Sequence, residues 1–238
     1  MNISNQAKPK HLLWTLIFLK VNKLEPVHCQ LGGCKSQDTY RQWVKRFADG
    51  IAKLEGKVII FENRFKKWNG KTQCLICIDG TDVPINEPGD RSSIWWSHKF
   101  NGPGLRYKVA TCIATSDIVW FCGPFPCNYN NRNIFDLFLS KKLIPGEGVK
   151  ANSGYSGRPQ VFMPGVAKNS VQRKEKSWIC GRHENMNGRL KVFGVMKQWE
   201  NSDVALHGVY ARCVAIIVQL SFNLGEKLYN VPYTANYD

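Results

Sequence analysis

Long hydrophobic runs are scarce at the start of this sequence. The apolar stretch Leu12–Leu19 is eight residues, far short of the roughly 20 that a bilayer-spanning helix needs. Lysines flank it and no small-residue cleavage site follows, which argues against a secretory signal. The expectation is a soluble chain with no membrane partner. Acid is scarce as well: 18 Asp and Glu face 33 Lys and Arg, for a net charge of +15. A surplus of that size repels itself unless a polyanion is near, so nucleic acid is the first partner to consider. No disulfide framework is present, because the nine cysteines are odd in number and irregularly spaced. They read as reduced thiols inside a cell. Cys74 and Cys77 form a C-x-x-C with no second half, in a strand-like run where residues three apart face opposite sides and cannot share an ion. No Ser or Cys nucleophile stands at diagnostic spacing from His98 or His183, so a hydrolase triad finds no support. No internal repeat is visible.

What is present is the composition of a folded protein, 43% apolar and 12% aromatic over 238 residues. That length holds one good-sized core with a small appendage, or two modest domains. Residues 11–20 read as a helix apolar nearly all round, hence buried. Glu25-Pro26 opens a second helix and Gly32-Gly33 breaks it. Ser36 then caps an amphipathic helix whose stripe is Tyr40, Trp43, Val44, Phe47, Ile51 and Leu54. Lys35, Arg41, Lys45 and Arg46 give it a basic side. Helix, glycine turn, basic helix is the outline of a helix-turn-helix DNA reader; it is equally the outline of a helical hairpin packed on a larger domain. The change of pattern sets the boundary, with 1–56 helical and 57–238 the main domain.

From Lys57 onward strands are expected at Val58–Phe61, Gln73–Asp79, Leu105–Thr115 and Ile118–Cys122, the last two as a hairpin turned at Ser116-Asp117. Asn131–Lys142 reads as helical, and Val149–Ala151 as a short strand ending at Asn152. Residues 156–170 look like a loop, and two helices follow at about 171–199 and 203–222. Three strands, a helix, a fourth strand and then helices is the order of a ribonuclease-H-like domain: an α/β mixed sheet flanked by helices, here preceded by a small all-helical region. Such a fold carries acids at the ends of its first and fourth strands and on a later helix. Those places hold Asp79, Asn152 and Glu184.

Several blocks sharpen the reading. Asp79-Gly80-Thr81-Asp82-Val83-Pro84-Ile85 resembles the first catalytic block of Harbinger/PIF-type DDE endonucleases, the transposases of cut-and-paste elements. Residues 97–107, and then Asp117–Trp120 with Gly123-Pro124-Phe125, resemble the blocks that follow. Gly146–Tyr155 is similar to the second catalytic block and Arg182–Lys191 to the third, and the helical segment Leu12–Arg64 resembles the region before the nuclease core. The resemblance implies two-metal phosphodiester chemistry with Mg²⁺ or Mn²⁺ held by residues 79, 152 and 184. It also implies DNA as substrate, a nuclear location, and possible further partners: a separate DNA-binding protein and a second copy of the chain. Lys35, Arg41, Lys45, Arg182, Arg189 and Lys191 are the candidate phosphate contacts.

Two positions depart from the family pattern. Asn152 stands where the second catalytic Asp is usual, and Asn131 where an Asp is common. An amide at 152 keeps one neutral oxygen ligand and loses a full negative charge, so a second cation should bind poorly. Asp82, Asp117 and Glu147 are spare acids nearby, none well placed to replace it. Cys180, Gly181, Asn187 and Gly188 beside Glu184 would let its helix approach the sheet. Everything rests on residues 79, 152 and 184 converging at one sheet rim, and cleavage is expected to be weak or absent.

Overall fold

The computed structural model describes residues 5–231 apart from 69, 71–72, 87, 91, 163–169 and 202. At the N-terminus, helices form where local chemistry starts and stops them. Helix α1 (Pro9–Val21) begins on a proline, whose fixed φ suits a first turn, and ends at Asn22 in the left-handed region. Helix α2 (Glu25–Gly32) has Pro26 in its first turn and stops at Gly33, φ 62°. Ser36 caps α3 (Gln37–Ala52), its hydroxyl accepting the Thr39 N–H at 3.4 Å. Of α1, only His11, Trp14, Thr15 and Leu19 are buried. Leu12 and Leu13 are 39% and 54% exposed, so the expectation of a helix buried all round is corrected: α1 packs on α3, α2 and Tyr210 and leaves the side with Leu12 and Leu13 open.

The expected strand at Val58–Phe61 is not one. A short helix α4 (Glu55–Val58) is followed by a 3₁₀ turn, Phe61–Phe65. The turn swings Arg64 inward, its guanidinium 3.8 and 4.0 Å from the Phe61 and Phe65 ring centres. There it meets Glu147 at 2.8 Å, both side chains buried.

The sheet consists of β1 (Cys74–Pro84), β2 (Trp96–Ser97), β3 (Gly102–Cys112), β4 (Ile118–Pro126), β5 (Gly148–Lys150) and β6 (Val161–Phe162). Strand β1 lies between β3, antiparallel to it, and β5, parallel to it; β4 and β2 pair with β3, and β6 extends the sheet beyond β5. This is the ribonuclease-H-like mixed sheet expected. Strand β6 falls inside the stretch read as loop, whose residues 163–169 lie outside the described ones. Between β4 and β5 come α5 (Asn131–Ile134), a π-helical turn and a 3₁₀ turn to Lys142. After β6 come α6 (Ser170–Lys191) and α7 (Val204–Asn223), the latter capped by Asp203, which accepts the Leu206 N–H at 2.8 Å.

Helices cover both sheet faces. On one, Ile76, Ile78, Ala110 and Val149 pack with Phe135, Leu139 and Tyr155. On the other, Val83, Leu105, Tyr107 and Val109 join Met186 and Leu190 of α6 and Tyr210 and Val214 of α7. Trp14, Trp43 and Phe47 belong to that same cluster, so the N-terminal helices and the sheet share a core. Helix α7 is long and apolar enough to cross a membrane by length and composition, yet its buried residues line this core. A register shift between Cys74 and Ile76 turns Cys74 to the side of Cys77, and both join Ile113 and Ile179 in one cluster. The expectation that they face opposite ways assumed a regular strand, and the bulge re-aims one of them.

A buried ion pair that loses one partner leaves an uncompensated charge, at a cost of about 3–5 kcal/mol. Arg64→Met is therefore expected to lower unfolding free energy by that order in urea titrations, and a second change, Glu147→Gln, to recover much of it. A loss no larger in Arg64→Met than in the double variant would show that the pair does not anchor this corner.

Candidate functional site

The parallel register of β1 and β5, with Cys77 opposite Lys150, brings the chain just beyond β5 alongside Asp79. The Asn152 side-chain amide donates from Nδ2 to Asp79 Oδ1 at 3.1 Å. Its own Oδ1 accepts the Gly154 N–H at 3.0 Å, closing the turn Ser153–Tyr155. Two of the three expected positions thus meet at the sheet edge.

Glu184 is arranged differently. Helix α6 turns Ile179, Arg182, His183, Met186 and Leu190 inward and leaves Glu184 exposed. Among the described residues no hydrogen bond or ion pair joins Glu184 to Asp79 or Asn152. Of the small residues beside it, Gly181 serves another contact, since a Cβ there would stand 3.0 Å from the Tyr229 hydroxyl, which donates to the Trp178 carbonyl at 2.9 Å, and Gly188 faces open space. The inward place goes to His183, whose Nδ1 lies 3.3 Å from Thr111 Oγ1 and whose buried Nε2 has no hydrogen-bond partner among the described residues. Burial pushes this imidazole down to about 4, with the Asp79 charge opposing.

Arg182 cannot serve as a phosphate contact. It is 2% exposed and donates to the carbonyls of Cys112 and Ile113 at 3.3 and 2.6 Å, tying α6 to the end of β3. Lys35, Lys45 and Lys191 are exposed. Arg41 pairs with Glu25 and with Asp38 at 2.9 Å, and Arg189 with Glu226 at 3.5 Å, all on the surface. Exposed pairs are worth about 0–1 kcal/mol and exchange readily. Lys45 and Arg46 stand on the exposed side of α3, whose apolar side packs on α1 and α7.

The spare acids are all engaged. Asp82 is buried in a two-oxygen pair with Arg106, 2.9 Å to Nε and 2.9 Å to Nη2, and accepts from Ser97 at 3.1 Å. Arg106 holds its carboxyl below the usual range despite burial, which acts the other way. Asp117 takes bonds from Thr115 at 2.9 Å and Gln219 at 3.2 Å, and Glu147 belongs to Arg64. His98 is exposed.

One residue at this edge has no place in the sequence reading. Lys108 pairs across from Gly80, is 1% exposed, and donates from Nζ to Asn131 Oδ1 at 2.7 Å. Its ammonium lies against Gly80, where a Cβ would come within 2.7 Å; the absence of a side chain there gives the ammonium its room. Tyr155 covers it, ring centre at 5.1 Å. Asn131 also accepts from Arg106 at 3.3 Å. The amide at 131 therefore takes bonds from two cations without neutralising either. A signal existed: Arg106 and Lys108 alternate with Leu105, Tyr107 and Val109 along β3, placing two charges on one face of an interior strand.

No family model and no curated protein matches the chain. Among solved structures it is similar to a pre-cleavage Mos1 transpososome at a TM-score of 0.28 and 8% identity, covering 96% of this chain and 82% of that one.

Burial, aided by Arg106 and opposed by Asp79 and Asp82, pushes the Lys108 ammonium down to about 7. An unfolded lysine holds its proton to about 10.4, so between those values the unfolded chain binds more protons and stability rises with pH. The stability difference between the wild type and Lys108→Met is expected to shift in favour of the wild type from about pH 7 to about pH 10, because the variant lacks that contribution. Identical slopes in denaturation series would place the lysine in a solvated setting.

Proposed function

We propose that the chain is a transposon-derived DNA-binding protein of the DDE nuclease type, related to the Harbinger/PIF endonucleases, whose cutting centre is disabled. The observation that carries this reading is the hydrogen bond from Asn152 to Asp79. In a working site of this type, carboxylates at both positions would face a pair of divalent cations about 4 Å apart. Here one carboxylate remains, and the neighbouring group presents N–H rather than a charged oxygen. Lys108, opposite Gly80 and so on the other sheet face from Asp79, still interacts with that carboxylate through space and, while protonated, adds positive charge near it. Glu184 makes no hydrogen bond or ion pair with either, and among the described residues no three His, Cys, Asp or Glu side chains form a metal-binding group. These residues do not fit a pair of Mg²⁺ or Mn²⁺ ions, which prefer hard, charged oxygen ligands.

DNA remains the partner the chemistry favours. The net charge of +15 needs a polyanion, and Lys35, Lys45 and Lys191, with Arg41 and Arg189 released from their surface pairs, would supply phosphate contacts. A nuclear location, a separate DNA-reading protein and a second copy of the chain belong to the same proposal.

On supercoiled DNA carrying transposon ends, with Mg²⁺ or Mn²⁺, the wild type is expected to leave no nicked product. Asn152→Asp alone is expected to stay inactive, because Glu184 still makes no contact with that pair and the Lys108 charge still acts on Asp79. Robust wild-type nicking would overturn the disabled-centre reading. Duplex affinity is expected to fall with salt, log K against log [salt] having a slope of about −0.9 for each phosphate neutralised. A flat response would remove DNA as the partner.

A further inference from the structure

Beyond the sheet edge, on the face that carries Arg106 and Lys108, three rings form a shelf open to solvent. Phe125 pairs with Arg106 across β3 and β4. The Tyr129 ring stacks beside it with centroids 6.1 Å apart and planes 15° from parallel, and Phe138 flanks it at 5.3 Å. Tyr129 and Phe138 are 41% and 40% exposed, which leaves each of them a free flank.

The shelf is held firmly. Arg106, locked to Asp82, donates to the Tyr129 carbonyl at 3.3 Å, and Tyr129 N–H donates to the Pro126 carbonyl at 3.0 Å. Two residues past Tyr129, Asn131 reaches the candidate site, its Nδ2 standing 2.7 Å from where a Cβ on Gly154 would be. Cations stand on the segments next to the shelf. Lys99, its side chain 58% exposed, donates to the Gly80 carbonyl next to Asp79 at 3.2 Å. Arg132, Lys141 and Lys142 are exposed on the same helical segment as Phe138 and have no ion-pair partner among the described residues. The one exposed acid of that segment, Asp136, is already paired with Arg158.

We infer that this shelf binds unpaired nucleic acid: bases stack on Tyr129 and Phe138 while the backbone follows Lys99 and Arg132 toward the Asp79–Asn152 edge. The inference rests on the DNA-binding reading above and adds the form of the strand. A rigid aromatic surface with exposed cations nearby, of which Lys99 has only a long 4.0 Å pairing with Asp82, suits bases, which all have a π-face, better than an apolar protein partner, for which the surrounding charge would be a cost. In a closed duplex the base faces are buried in the stack and could not reach these rings, so single strands, frayed ends and overhangs are the ligands.

The test is fluorescence anisotropy of the full chain with a labelled single-stranded oligonucleotide of mixed sequence and with its duplex. Tyr129→Leu combined with Phe138→Leu keeps apolar bulk and removes the π-faces. It is expected to weaken single-strand binding about tenfold or more and to change duplex binding by less than about twofold. Tyr129→Phe, which keeps the ring, is expected to match the wild type. Equal loss on both DNA forms, or no loss on the single strand, overturns the shelf while leaving DNA binding intact. Failure of the wild type to bind either form removes the underlying reading with it. If the double leucine variant instead changes the oligomeric state in light scattering and keeps its single-strand affinity, the shelf is a contact between copies and the inference fails. Tyr129→Leu alone, its ring being largely at the surface, provides the same comparison should the double variant melt early.

Discussion

Arg64 and Glu147 form an ion pair from which water is excluded on both sides, and a buried charge must keep its partner. Glu147 immediately precedes β5, and its second oxygen also accepts the Ile144 N–H at 3.0 Å. That requirement fixes where β5 enters the sheet. A parallel strand cannot be reached by a tight turn; the chain must cross over through α5 and its following turns, and only an anchored arrival sets the register. Once Cys77 lies opposite Lys150, Asn152 has one place to go, beside Asp79. A side-chain contact between residues 73 positions apart thus depends on a pair at the far end of a three-residue strand.

The charge distribution at that edge is the reverse of what cation binding needs. Of the acids there, Asp82 is consumed by Arg106 and Asp79 alone faces the site. Against it stand Lys108 beneath Gly80 and Lys99 on the Gly80 carbonyl. Asn131 and Asn152 supply dipoles where carboxylates would supply charge. The effects reinforce each other: Asn152 removes an attraction for cations and Lys108 adds a repulsion, so restoring one position leaves the other in force.

Much of this was legible in the sequence, and the failures have physical causes. The helices at 9–52, the hairpin around Ser116 and the strand before Asn152 follow from local rules of capping, alternation and turn chemistry. The meeting of Asp79 and Asn152 follows from block order. The phase of α6 does not. Which of Arg182, His183 and Glu184 faces inward depends on which groups await them on the sheet, and the carbonyls at the end of β3 claim Arg182. The bulge at Cys74 leaves no mark in composition, and β6, two residues long among Gly, Pro and Ser, is too short for any periodicity. Lys108 could have been found, since in a sheet expected to carry helices on both faces a lysine on an interior strand is buried and must find an acceptor.

Burial explains how such a site can lose its chemistry without losing its fold. Asp82, Asp117 and Glu147 are each 2–6% exposed and bonded; exchanging any of them strands a partner inside the protein at a cost of order kcal/mol. Asn152 is exposed, and the Gly154 N–H that its Oδ1 accepts is one a carboxylate oxygen would accept equally well. An amide there costs the turn almost nothing and costs a cation site a full charge. Structural acids and site acids are therefore under different constraints, and a change at 152 can leave the sheet and its anchoring pair as they were.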